Sequence, residues 1–199
     1  MNQDKQQKRK AQILDAALRV LVQKGYDSSR IDDIVKESGM SKGAIYWYYK
    51  SKKEVYLALV DHWVHRYSVT LNHIVEEKRP AADELKDLFN FFIAQYESDT
   101  VVFKALLEFW SLAGRDEDFH QKLQLVYSDF LYLIQKILEL GKKSGEFKDI
   151  DITATALSIM INIEGMIWFT LFDVNDLTPR RYIQTITDFI LAGLQKKSH

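Results

Sequence analysis

Apolar residues recur at three- and four-residue intervals along most of the chain, the spacing of one face of an α-helix. After Lys8-Arg9-Lys10, the positions Ile13, Leu14, Ala17, Leu18 and Leu21 predict a first long helix to about Lys24, ended by Gly25. Ile31, Ile34 and Val35 form the stripe of a short helix over 28–38, with a serine to cap its start and Gly39 to end it. A third short helix covers 41–49, with Ser41 as its cap. A fourth begins near Lys52, where Ser51 and Glu54 have capping-box spacing. Val55, Leu59, Trp63, Tyr67, Leu71 and Ile74 carry it to about Lys78, a span of roughly 40 Å at 1.5 Å per residue.

Pro80 stops that helix. Leu85, Leu88, Phe89, Phe92, Ile93 and Tyr96 then mark a fifth from about Asp83. A sixth, capped by Ser98 or Asp99, carries Val102, Phe103, Leu106, Leu107 and Trp110. A seventh runs from about Glu117 to Lys143, with Gly141 and Gly145 near its end. An eighth covers 152–172 and is apolar nearly all round, which predicts burial on more than one side. A ninth opens at Thr178-Pro179, a cap followed by proline in its preferred place. The pattern predicts an all-α chain of about nine helices, with no hairpin or repeat.

Composition agrees with long helices: only 2 prolines and 8 glycines in 199 residues, with 47% apolar residues to build a core. The absence of cysteine excludes disulfides and thiolate chemistry and fits a cytoplasmic location. The first ten residues contain no apolar core of a signal peptide. Asn162, Glu164 and Gly165 interrupt the most membrane-like run, so a buried helix is expected and no membrane. Net charge is −1, but residues 1–56 carry 12 Lys/Arg against 7 Asp/Glu, while the remainder carries 15 against 21. A basic first quarter before an acidic remainder suits a chain whose first part meets nucleic acid.

The stretch from Ser41 to Lys52 concentrates the candidate chemistry. Ile45 and Tyr49 share one stripe of the third helix, and burying it leaves Lys42, Tyr46, Trp47 and much of Tyr48 outward. Lysines among rings on a short exposed helix suit a partner with phosphates and apolar groups, as DNA has in its backbone and thymine methyls. A short helix, a glycine turn and a second helix with such a face form a helix-turn-helix over about 30–49.

Residues 8–67 resemble the DNA-binding domain of the TetR family of bacterial transcriptional regulators. The matching residues are Ile13-Leu14-Asp15-Ala16-Ala17, Gly25-Tyr26, Ile34-Val35, Gly39, Ser41-Lys42-Gly43, Ile45-Tyr46-Trp47-Tyr48-Tyr49 and Lys50-Ser51-Lys52-Lys53-Glu54. The family often has phenylalanine where this chain has Tyr26 and Tyr49. The resemblance implies a helix-turn-helix domain over 1–56 and a helical effector-binding and dimerisation domain over 57–199. It implies a homodimer formed through 152–172 and 178–196, bound to a near-palindromic double-stranded operator. The implied role is a repressor released by a small, largely apolar effector. The expected DNA contacts are Ser41, Lys42, Gly43, Tyr46, Trp47, Tyr48 and Lys52, with Lys42, Tyr46 and Lys52 on phosphates and Gly43 allowing close approach.

The effector pocket implied in the second domain has Phe92, Tyr96, Phe103, Trp110, Tyr127, Phe130, Glu164 and Trp168 as its candidates. Glu164 stands out, because a carboxylate inside an apolar helix is costly unless paired. It suits a basic partner, a seam between subunits with Asn162, or a cationic or hydroxylated ligand. Catalytic patterns are missing. Glu117 and His120 lack a twin pair for a di-iron site, His62 and His65 lack a third ligand, and no phosphate or dinucleotide loop occurs. No metal, cofactor or enzymatic activity is expected. The rival readings are a helical small-molecule-binding protein or enzyme with a non-functional DNA head, and a membrane-surface protein using its basic start.

Overall fold

A computed structural model describes residues 2–72, 74, 79–173 and 176–196. The protein is all-α, with a helix-turn-helix near its start and a larger helical body after it. The helices are α1 (Asn2–Ser28), α2 (Ile31–Ser38), α3 (Lys42–Tyr48), α4 (Lys52–Asn72), α5 (Ala81–Ser98), α6 (Thr100–Ala113), α7 (Glu117–Ser144), α8 (Ile152–Glu164), α9 (Trp168–Leu171) and α10 (Pro179–Leu194). Among the described residues the strand-like pairing is one isolated bridge between Phe147 and Gln195. The predicted end of the fourth helix, at residues 73 and 75–78, lies outside the described residues.

The chain forms two compact units and crosses between them inside α4, α6 and α7. The first comprises Met1–Tyr67 with Lys104–Gln124, and the second Ser68–Phe103 with Leu125–His199. In the first unit, Ile13, Leu14, Ala17, Leu18 and Leu21 bury the predicted face of α1. Rings from four helices complete this core. Tyr26 packs edge-on against Tyr56 at 5.3 Å and Phe119 at 5.5 Å, while Phe109 lies 6.1 Å from Phe119 and 5.4 Å from Trp63. The buried face of α6 matches the predicted one at Val102 and Phe103 and then departs from it, since Ala105, Phe109 and Leu112 are inside while Leu106, Leu107 and Trp110 are half-buried. An apolar stretch with few polar positions does not choose a face by its period alone.

Helix ends follow their capping residues. The amide of Ala44 donates to Ser41 Oγ at 3.2 Å, and Gly39 takes the left-handed conformation with φ 67°. The start of α2 departs from the expected serine cap. Arg30 is its N-cap and donates its amide to the Asp33 carboxylate at 2.9 Å, while Ser29 is buried and donates its hydroxyl to the Tyr26 carbonyl. Ser51 Oγ accepts from the Glu54 amide, and Glu54 reaches back to the Lys50 amide at 2.7 Å. Asp99, Asp151 and Thr178 accept amides at the starts of α6, α8 and α10.

In the second unit, Leu85, Leu88, Phe89 and Ile93 of α5 are buried with Ile134, Ile137 and Leu138 of α7, Ile159 and Ile163 of α8, and Ile183 and Leu191 of α10. The predicted single helix over 152–172 is divided: a 3-10 turn at Gly165–Ile167 separates α8 from α9. The division falls where α8 nears α10; a β-carbon at Gly165 would sit 3.0 Å from the Tyr182 hydroxyl. One side of α8 packs inward, but Leu157 and Ile161 are 43% and 56% exposed, so the described residues do not cover a second side.

Pro80 leaves the first amides of α5 without an intrahelical acceptor. Glu146 takes them, accepting from Ala81 at 2.8 Å and Ala82 at 3.0 Å. We expect Glu146→Ala to lower stability by about 1–2 kcal/mol, the usual cost of a lost helix cap, as read by urea unfolding. A change below about 0.3 kcal/mol would show that water serves those amides as well.

Candidate functional site

The third helix is held by its inner stripe. Ile45 is fully buried and Tyr49 is 6% exposed, which fixes the roll of α3 on the first unit's core. The opposite face is open: Tyr46 is 45% exposed and Trp47 68% exposed. The Trp47 indole stands edge-on to the half-buried Tyr48 ring at 4.6 Å, making one aromatic ledge. Lys42 Nζ pairs with Asp32 of α2 at 2.7 Å, both side chains largely in solvent. An exposed pair of this kind contributes little to stability. A β-carbon at Gly43 would meet no other atom within 4 Å, so nothing in the protein itself demands a glycine there.

Lys52 has different surroundings. Its Nζ donates to the carbonyls of Tyr26 at 2.6 Å and Ser29 at 2.9 Å, with Asp27 at 3.5 Å, and it lies 4.3 Å from the centre of the Tyr26 ring. Burial pulls its pKa down from the ordinary lysine value. The ammonium therefore satisfies the carbonyls freed where α1 ends. Lys53 is also engaged, pairing with Asp116 at 2.8 Å and Asp118 at 2.5 Å at the start of α7, contacts that raise its pKa. Sequence reasoning found neither arrangement, because the partners lie 23–26 residues before Lys52 and more than 60 after Lys53.

The proposed effector-pocket residues divide between the units. Trp110 belongs to the first, while Phe92, Tyr96, Phe103, Tyr127, Phe130, Glu164 and Trp168 belong to the second. The Phe92 and Phe130 rings lie 5.2 Å apart, and those of Tyr96 and Phe103 5.0 Å apart. Trp168 is 60% exposed and stacks on Phe172 at 5.1 Å. Burial pushes the Glu164 carboxyl up to about 7, opposed by a hydrogen bond from Tyr127. Nearby, Tyr182 donates its hydroxyl to Asn162 Oδ1 at 3.3 Å.

A carboxyl with a raised pKa binds a proton in the folded state that the unfolded chain has already released. Stability therefore falls as pH rises between the ordinary value of 4.5 and about 7. We expect Glu164→Gln to remove that part of the fall. An unchanged pH profile of unfolding between wild type and variant would contradict the assignment.

A helix-turn-helix with a basic and aromatic outer face, followed by a helical body, defines a DNA-binding regulator. Residues 13–59 match the model for bacterial regulatory proteins of the tetR family, and residues 80–195 match that for the C-terminal part of BetI-type transcriptional repressors. The chain belongs to the TetR family of ligand-responsive transcriptional regulators. It is 26% identical over 187 residues to the fatty acid metabolism regulator protein of Bacillus subtilis, covering 94% of this chain and 95% of that one. Its fold is similar to that of FadR from Bacillus subtilis solved with stearoyl-CoA, with TM-score 0.76 and 23% identity over 95% of this chain and 99% of that one. A regulator from Saccharomonospora viridis solved with choline shares the fold at TM-score 0.85 and 21% identity, covering 96% and 100% of the two chains.

Proposed function

We propose that the protein acts as a homodimeric repressor, setting two copies of α3 into successive major grooves of a near-palindromic operator. The observation that carries this reading is the outer face of α3, where Lys42, Tyr46 and Trp47 project from a helix whose inner stripe is buried. Lys42 and Tyr46 anchor phosphates, the Ser41-Lys42-Gly43 turn brings backbone close, and Trp47 and Tyr48 pack on the groove wall. Lys52 supports this surface from behind, through the carbonyls that end α1. The protein works by binding, in the cytoplasm, with no catalytic step; its relatives are regulators.

The subunit seam is formed by 152–172 and 178–196. Its support is the row of exposed apolar side chains there: Leu157, Ile161, Trp168, Leu171, Phe172 and Phe189, the last 77% exposed. By length and composition alone Ile152–Leu171 is apolar enough to cross a membrane, but a third of it is buried within the protein. A second copy covers the remainder more economically than lipid does, since the inward side is already packed.

The effector enters the second unit among Phe92, Tyr96, Phe103, Tyr127 and Phe130, with Glu164 as the polar group that orients it. An effector releases DNA only if it binds one spacing of the two heads better than another.

Selection from random duplexes with the purified protein tests this reading. The expected product is an inverted repeat with half-site centres about 34 Å apart or a multiple of that. A monomeric protein with no sequence preference, even in dilute salt, would overturn it.

A further inference from the structure

The corner between α1 and α2 is held by two opposite charges from distant parts of the chain. Gly25 breaks α1 with φ 72° and ψ 166°, so the backbone groups that follow leave the helical ladder. The Tyr26 amide donates to Glu108 Oε2 of α6 at 3.1 Å. The carbonyls of Tyr26 and Ser29 accept from Lys52 Nζ of α4. Tyr56 donates its hydroxyl to Ser29 Oγ, which itself donates to the Tyr26 carbonyl. Arg115 pairs with Asp27 at 2.7 Å across the same corner. A carboxylate is thus fixed on the donor side of one peptide segment and an ammonium on its acceptor side. From that segment α2 departs, and from α2 hangs α3.

Gly25 is needed for its backbone conformation. Its φ lies in the left-handed region, and a β-carbon would stand 3.3 Å from Glu108 Oε2. The carboxylate and the glycine therefore form a single fitted contact. Glu108 lies beyond the matched DNA-binding segment of 13–59, yet Lys104–Gln124 packs in the same compact unit as Met1–Tyr67.

We propose that Glu108 is a positioning residue for operator recognition. Its carboxylate oxygen fixes the Tyr26 amide and with it the direction in which α2 and α3 leave α1. It touches no DNA itself. Reach, rather than charge, carries the effect: the amide needs an acceptor atom at the position of Oε2.

Two variants separate reach from charge. Glu108→Gln loses the charge but keeps an acceptor oxygen at the same distance. Glu108→Asp keeps the charge but draws the acceptor back by one methylene. Operator and non-specific duplex affinities are measured at several salt concentrations, with thermal unfolding alongside. Glu108→Asp is expected to weaken operator binding about tenfold, the upper end of the range for loss of one hydrogen bond. Its non-specific affinity and salt slope should stay at wild-type values, because no phosphate contact is removed. Glu108→Gln should bind operator within about threefold of wild type. Equal losses on operator and non-specific DNA, wild-type operator binding by Glu108→Asp, or a Gln variant as weak as the Asp variant would each overturn the proposal. The inference rests on α3 being the operator-reading helix. Wild-type operator binding, measured first, separates a failure of that reading from a failure of this one.

Discussion

Phe119→Ala is expected to destabilise the first unit by about 3–5 kcal/mol, the range for emptying a buried phenylalanine site. Phe119 is fully buried, and its ring bridges Tyr26 of α1 and Phe109 of α6. Those rings in turn pack on Tyr56 and Trp63 of α4, so the row cannot close over a gap without moving three other helices. The effect should be local. Hydrogen exchange is expected to show lost protection for amides of α1 and α4, with α10 amides retaining theirs. A loss below 1 kcal/mol, or one spread evenly over both units, would show that the ring row does not hold the unit together.

Trp47→Glu is expected to cost at least about 100-fold in operator affinity, since placing like charges together at an interface costs several kcal/mol. Trp47 is 68% exposed, and its recorded ring contact is with its neighbour Tyr48, so folding stability should change by no more than about 0.5 kcal/mol. The loss should be steep on operator and smaller on non-specific DNA, where the helix sits less deeply. Gel-shift titration beside thermal unfolding reads both quantities. Operator affinity at the wild-type level would move the DNA surface away from α3.

The head was legible in the sequence because its information is local. Gly39, Ser41 and the Ile45–Tyr49 pair specify a turn, a cap and a buried stripe within a dozen residues, and each takes its expected place. Lys52 shows where local reading ends. A lysine at a helix start looks free for an anion, and only the folded chain sets the end of α1 beside it. The choice between Phe109 and Trp110 on α6 was equally out of reach, since apolar residues on several sides leave the period undecided. The break falls at Gly165, where the Tyr182 hydroxyl of another helix comes close, a neighbour that local sequence does not reveal. Periodicity states which face is covered and never what covers it; Glu108 over Tyr26 and Glu146 under α5 are contacts of that second kind. The effector candidates were legible only as aromatic residues in helices, because the same residue types also fill an ordinary core.

The first unit draws on two stretches of chain, with Ser68–Phe103 between them. A nascent chain leaves the ribosome from its N-terminus at about 5–20 residues per second. Phe109 and Phe119 thus emerge on the order of several seconds after Trp63, and until then the Tyr26, Tyr56 and Trp63 rings have no lid. Until then the early portion presents apolar rings to solvent, the kind of transient exposure that favours aggregation during synthesis.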